Sequence, residues 1–164
     1  MMHHQTLYSK IKSLEALKVC IQNDQANGLS VVFTNGCFDL LHKGHVDYLS
    51  KAADLGDKLI VAVNTDDSVR RLGKSASRPI QDQEARATVI AALESVAYVV
   101  LFNEDTPFEL IQTIAPNVLV KGSDYAVHQI VGADIVLANG GRVETIDFIQ
   151  GYSTSAIEQK ILKG

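Results

Sequence analysis

Leu59-Ile60-Val61-Ala62-Val63 is the stretch that most narrows the fold. Five apolar residues follow one another without a polar break. A strand alternates its side chains between two faces, so an apolar run is apolar on both. Such a strand has to be covered on both sides, which is the situation in a parallel sheet sandwiched by helices. Leu29–Thr34, Tyr98–Phe102, Val118–Val120 and Arg142–Ile146 read as four further strands. Between them lie stretches with helical spacing: 45–55 with Val46, Leu49, Ala52 and Ala53, and 82–94 with Ala85, Val89, Ala92 and Leu93. Thr106-Pro107-Phe108-Glu109 reads as a capping box opening a helix to Ala115, and Ser153-Thr154-Ser155 caps a last helix through Leu162. Asp66 or Thr65 can cap a short helix through Leu72, and another short helix covers part of 131–138. Alternation of strand and helix predicts an α/β domain: an open parallel five-stranded sheet, right-handed crossovers, helices on both faces.

Residues 8–26 show one more helical pattern, closed by Asn27-Gly28. It precedes the first strand, so residues 1–27 are expected to be an accessory helix on the outside of a domain spanning 28–164. Hydrophobic residues make up 46% of the 164, enough for a real core. The formal charge of −4 argues against non-specific nucleic-acid binding. No apolar run is long enough to span a membrane, and the N-terminus carries no hydrophobic signal segment. Two cysteines, Cys20 and Cys37, do not make a disulfide scaffold and suit a reducing, cytoplasmic compartment.

The chemistry-bearing residues concentrate where the first strand hands over to a helix: Thr34-Asn35-Gly36-Cys37-Phe38-Asp39-Leu40-Leu41-His42-Lys43-Gly44-His45. Ligands of open α/β sheets bind at the carboxyl ends of strands, and helix N-termini there favour phosphate. Gly44 permits close backbone approach, and two imidazoles can donate to phosphate oxygens without a fixed charge. Two alternatives stay open on spacing alone: ordinary surface histidines, or a metal cluster of Cys37, Asp39, His42 and His45. Ser153, Thr154 and Ser155 read first as a helix cap, whose free amides can also hold phosphate. Lys121 at a strand end, Arg86 on a helix and Arg78 on the basic loop 73–81 each read alone as solvated charges. Asp124 can cap a turn or meet a ribose. No Gly-x-Gly-x-x-Gly and no P-loop lysine occur, which weakens dinucleotide and ATP-hydrolase readings.

Residues 35–45 resemble the first signature of the HxGH nucleotidylyltransferase superfamily. Tyr152-Ser153-Thr154-Ser155, with Lys160 beyond, resembles the second, although Lys160 stands where many relatives carry arginine and Tyr152 replaces a smaller residue. Val61–Asp66, Ser77-Arg78-Pro79, Glu84-Ala85-Arg86 and Val120-Lys121-Gly122-Ser123-Asp124-Tyr125 resemble a narrower branch, the adenylyltransferase domain of bacterial ADP-heptose synthases. Glycerol-3-phosphate cytidylyltransferases are similar at greater distance.

The resemblance implies a Rossmann-like nucleotidylyltransferase fold and transfer from ATP, or CTP, to a sugar 1-phosphate. His42 and His45 would act on the α-phosphoryl group. Thr34, Asn35, Gly36, Phe38, Lys43, Gly44, Ser153, Thr154, Ser155 and Lys160 would hold nucleotide and phosphate. Asp39, Asn64, Asp66, Arg86, Lys121 and Asp124 would bind or support the acceptor. Mg²⁺ would arrive with the triphosphate, and no resident metal is expected. Many such enzymes are fused to a sugar kinase; here a separate kinase is expected to supply the acceptor. Relatives are often dimers, so a homodimer is compatible with the resemblance.

Overall fold

A computed structural model describes residues 3–73, 77–124 and 126–163. Lys74, Ser75 and Ala76 of the basic loop, and Tyr125 of the branch motif, lie outside the described residues. The elements in order are α1 (His3–Ser9), β1 (Ile11–Lys12), α2 (Leu14–Ala26), β2 (Val31–Gly36), α3 (Lys43–Ala53), β3 (Lys58–Asn64), α4 (Asp66–Arg71) and α5 (Gln83–Ala91). Then come β4 (Tyr98–Phe102), α6 (Phe108–Ile114), β5 (Val118–Gly122), a 3₁₀ turn (Val127–Gln129), α7 (Ala133–Ala138), β6 (Arg142–Ile146) and α8 (Thr154–Leu162).

The six strands run in the order β1-β4-β3-β2-β5-β6, and every pairing is parallel. β3 is deeply buried, as its continuous apolar run requires. Ile60 and Ala62 point into one core with Leu17, Phe33 and Ile111. Leu59, Val61 and Val63 point into the other with Leu49, Ile90 and Val120. The chain builds outward from β2 to β3 and β4 on one side and to β5 and β6 on the other. The crevice where those directions part lies at the carboxyl ends of β2 and β5, where α/β sheets bind ligands.

Five expectations need correction. The sheet has six strands rather than five, because Ile11 and Lys12 pair with Val99 and Val100 at the edge. A two-residue strand leaves no periodic signal. Residues 8–26 are consequently not one helix: Ser13 caps a fresh helix by accepting the Ala16 N–H at 3.2 Å. Leu17 and Ile21 of α2 enter the core, whereas Val19 is exposed.

The inward face of α5 also differs. Arg86, Ala87, Ile90 and Ala91 are buried, while Val89 and Ala92 are exposed. A buried arginine rotates the helix away from the face its apolar residues suggest. Likewise Val46 of α3 is exposed although Leu49 and Ala52 are buried. Finally, α6 starts after Pro107 without a side-chain cap bond, and Thr106 faces a cavity instead.

Candidate active site

β2 and β5 end side by side at the crevice. There Lys121 donates to the Asn35 side-chain oxygen at 2.5 Å. Beyond β2 the chain turns sharply at Phe38, whose φ of 49° lies in the left-handed region. A non-glycine residue there costs about 1–3 kcal/mol unless its surroundings hold it. Gly36 makes that possible: a Cβ on it would come within 2.9 Å of the Phe38 ring. The ring then meets His45 edge-on, with centroids 5.2 Å apart.

His42 occupies the N-cap position of α3, but its side chain makes no capping bond. Its ring stacks on that of His45 with centroids 3.7 Å apart and planes inclined by 20°. Gly44 leaves the room for this, since a Cβ would sit 3.1 Å from the His42 ring. Burial, and then the neighbouring His42, push His45 down to about 4, while the Leu40 backbone offsets part of the shift. Burial also lowers His42. Both shifts run below the ordinary value of 6.5 and so favour the neutral ring near pH 7, and face-to-face contact adds a cost to charging both at once. Each Nδ1 is buried without a partner of hydrogen-bonding geometry among the described residues.

Asp39 organises the opposite wall. Its side chain is 2% exposed and receives the backbone N–H groups of Ile80 and Gln81 at 2.9–3.0 Å. The Gln81 side chain returns a bond to the Asp39 carbonyl at 2.7 Å. These bonds draw residues 77–81 into a strap that reaches α8. Ser77 donates to Glu158 at 2.9 Å, and Arg78 donates to Glu158 at 3.1 Å, to Asp39 at 3.3 Å and to Ser155 at 3.4 Å. Ser153 caps α8 by accepting the Ala156 N–H at 3.0 Å.

Two adjoining cavities result. The first, about 400 Å³, is bordered by His42, His45, Asp39, Arg78, Ser153, Thr154, Ser155 and Glu158. The second, about 430 Å³, is bordered by Asn35, Gly36, Asn64, Lys121, Asp124 and Gln129, with Phe102 and Pro107. Cys37, Phe38, His45 and Phe148 line both and form their common wall. The N-termini of α3 and α8 thus open on one cavity, with the histidine pair at the start of α3.

Several sequence candidates do not reach these walls. The Thr34 hydroxyl is buried against that of Tyr48 at 2.8 Å. Arg86 is 0% exposed and donates to the carbonyls of Gln81 and Cys37 and to Asp66 at 3.0, 2.8 and 2.7 Å. It and Asp66 therefore brace the turn from behind. Lys160 is exposed and lines neither cavity. Lys43 is exposed too, its ammonium 5.5 Å from the Tyr152 ring. Glu158 and Phe148 were not singled out by the sequence. Glu158 follows Thr154 by four residues, which puts both on one helix face. Phe148 sits just past β6, at a strand's carboxyl end; a Cβ on Gly122 would clash with its ring.

Among the described residues, no group of three or more His, Cys, Asp or Glu side chains is placed to hold a metal ion. Asp39 is committed to backbone amides and Arg78, and Cys37 Sγ lies 3.8 Å from the Asn64 oxygen. Imidazoles, hydroxyls and an arginine suit an ion that arrives already held by phosphate oxygens. No helix among the described residues is long and apolar enough to cross a membrane.

The family model described as cytidylyltransferase-like matches residues 33–159. The bifunctional protein HldE of Citrifermentans bemidjiense is 55% identical over 154 residues, which are 94% of this chain and 31% of that protein. The chain spans about a third of the length of the curated relatives it matches. The crystal structure of the lipopolysaccharide core biosynthesis protein from Thermoplasma volcanium GSS1 superposes with a TM-score of 0.60 at 29% identity, covering 77% of this chain and 100% of that one. Pantoate-beta-alanine ligase from Francisella tularensis shares the fold alone, with a TM-score of 0.57 at 14% identity over 94% of this chain and 78% of that one. A match running through both signature turns, and a sheet that brings them to one cavity, lead to one conclusion: the chain belongs to the cytidylyltransferase-like family.

Proposed function

We propose that the chain is an adenylyltransferase that moves the adenylyl group of ATP onto a sugar 1-phosphate, D-glycero-β-D-manno-heptose 1-phosphate, giving ADP-heptose and pyrophosphate. One observation carries the reading. Two stacked, neutral histidines at the start of α3 share a single cavity with the N-terminus of α8. The relatives named HldE and the adenylyltransferase-branch motifs support the choice of acceptor.

In the reaction, an acceptor phosphate oxygen attacks the α-phosphorus in line. A P–O bond forms there as the bond to the β-phosphate oxygen breaks, and the electron pair leaves on pyrophosphate. The acceptor is already anionic near pH 7, so the site needs no strong base. Its task is position and charge. His42 and His45 donate hydrogen bonds to the α-phosphoryl oxygens as charge builds on them. The amides at the start of α8, with Thr154 and Ser155, hold the leaving phosphates. Mg²⁺ that enters on the triphosphate neutralises its charge. In the second cavity, Lys121 offers a cation for the acceptor phosphate, and Asp124 and Gln129 offer partners for sugar hydroxyls. The acceptor itself comes from a kinase-type reaction that phosphorylates the anomeric hydroxyl.

The test is pyrophosphate release from ATP or CTP with heptose 1-phosphate and with glycerol 3-phosphate. Release with ATP and the heptose alone is expected. Release with CTP and not ATP would move the assignment to a cytidylyltransferase, and no release with any pair would refute catalysis.

A further inference from the structure

Arg78 is the described cation most deeply committed to the first cavity. Its side chain is 10% exposed, and its Nε is buried with no hydrogen-bond partner among the described residues, as is the Nδ1 of His42 on the same cavity. The other guanidinium nitrogens are held by two carboxylates that differ in character. Asp39 is 2% exposed and bound to two backbone amides, so it cannot move without releasing the strap. Glu158 is 25% exposed and stands on α8, a helix with no buried side chains. Its remaining described bond comes from the Ser77 hydroxyl.

The charges make this arrangement unfavourable for an anion. With both histidines neutral, Arg78 contributes one positive charge, and Asp39 and Glu158 contribute one negative charge each. A triphosphate therefore meets a carboxylate at the point where the guanidinium is placed to receive it. A guanidinium fork pairs with phosphate as readily as with carboxylate, and a phosphate carries more charge to pair with.

We propose that Arg78 is a triphosphate-binding residue and that Glu158 is its displaceable counter-ion, exchanged for phosphate oxygens when ligand enters. This rests on the adenylyltransferase reading only for the identity of the triphosphate. Asp39 stays in place through the exchange and keeps the fork aimed. Glu158 turns outward along the exposed face of α8, where water solvates it. No bond other than hydrogen bonds changes.

The experiment measures binding of ATP and of inorganic tripolyphosphate to the whole chain by titration calorimetry, with and without Mg²⁺. Wild type is compared with Glu158→Gln, Arg78→Gln and Arg78→Lys, and each variant's fold is checked by thermal melting. Removing the competing carboxylate should tighten tripolyphosphate binding about two- to fivefold. Arg78→Gln should weaken it about 10–100-fold, and Arg78→Lys, which keeps the charge but not the fork, should fall between. The opposite signs are the signature, because a purely structural tie would weaken binding in both variants. Parallel losses, unchanged binding in both Arg78 variants, or weakening of Glu158→Gln only when Mg²⁺ is present would each overturn the proposal. Wild type that binds neither probe would overturn it together with the adenylyltransferase reading. Tripolyphosphate binding that follows the predicted signs without ATP binding would leave the inference standing and remove the nucleotide. Pyrophosphate release by a wild type whose Glu158→Gln variant binds no tighter would do the reverse.

Discussion

The two helices that begin at the first cavity are held in different ways. α3 is part of the core: Gly44, Tyr48, Leu49 and Ala52 are buried, and Leu49 packs in the cluster that contains β3. α8 buries no side chain and is tied down by the polar bonds of the strap and by its own cap. One half of the site therefore inherits the rigidity of the fold. The other half is as firm as a few polar bonds, which makes it the part of the site that can open at least cost.

The contrast can be broken at either end. The largest effect is expected in the α3 half. Leu49→Ala should lower stability by about 2–5 kcal/mol, the usual cost of a cavity in a core, measured by denaturant unfolding. An equal loss from Ile161→Ala in α8 would contradict the difference between the helices; the expected change there is within about 0.5 kcal/mol.

His45→Ala should cut turnover by about 10²–10³-fold while the protein stays folded, as when one donor to a developing oxyanion is removed. Near-normal pyrophosphate release would remove His45 from the transition state.

Acid should act on the α3 half as well. Folding holds His45 at about 4, below its ordinary value of 6.5. The unfolded chain therefore takes up a proton first, and stability present above pH 6.5 is lost as the pH falls toward 4. In His45→Asn the melting temperature should fall less over that interval than in wild type. Equal slopes would mean that the ring is not buried as described.

The smallest effect belongs to α8. Ser153→Ala removes the cap bond and should cost about 0.5–2 kcal/mol of local helix stability. It should appear as faster amide exchange in residues 156–160, with little change in global melting. A large drop in global melting would show that α8 is part of the cooperative core.

Two arginines mark where reading the chain stops. The branch motifs contain both, and the resemblance implies a site role for Arg86 but none for Arg78. Folding reverses them. Arg86 is enclosed and satisfied by Gln81, Cys37 and Asp66, whereas Arg78 stands on the cavity with an Nε that has no partner among the described residues. Neither outcome has a local signature, because Cys37 lies 49 residues from Arg86, and Glu158 lies 80 from Arg78. The same limit explains Thr34, whose neighbours in sequence suit a ligand but whose hydroxyl is taken by Tyr48.

What the sequence determined by itself was what short-range physics writes down. The apolar run 59–63 dictated a strand covered on both faces, Ser153 dictated a helix start, and the turn from Asn35 to His45 dictated a strand-to-helix corner rich in donors. Periodicity, capping and turn chemistry all act within a few residues. The tertiary structure alone decided which charges line the cavity and which brace the scaffold. That choice depends on partners that burial brings together from distant parts of the chain, and on the cost of leaving any buried charge without one.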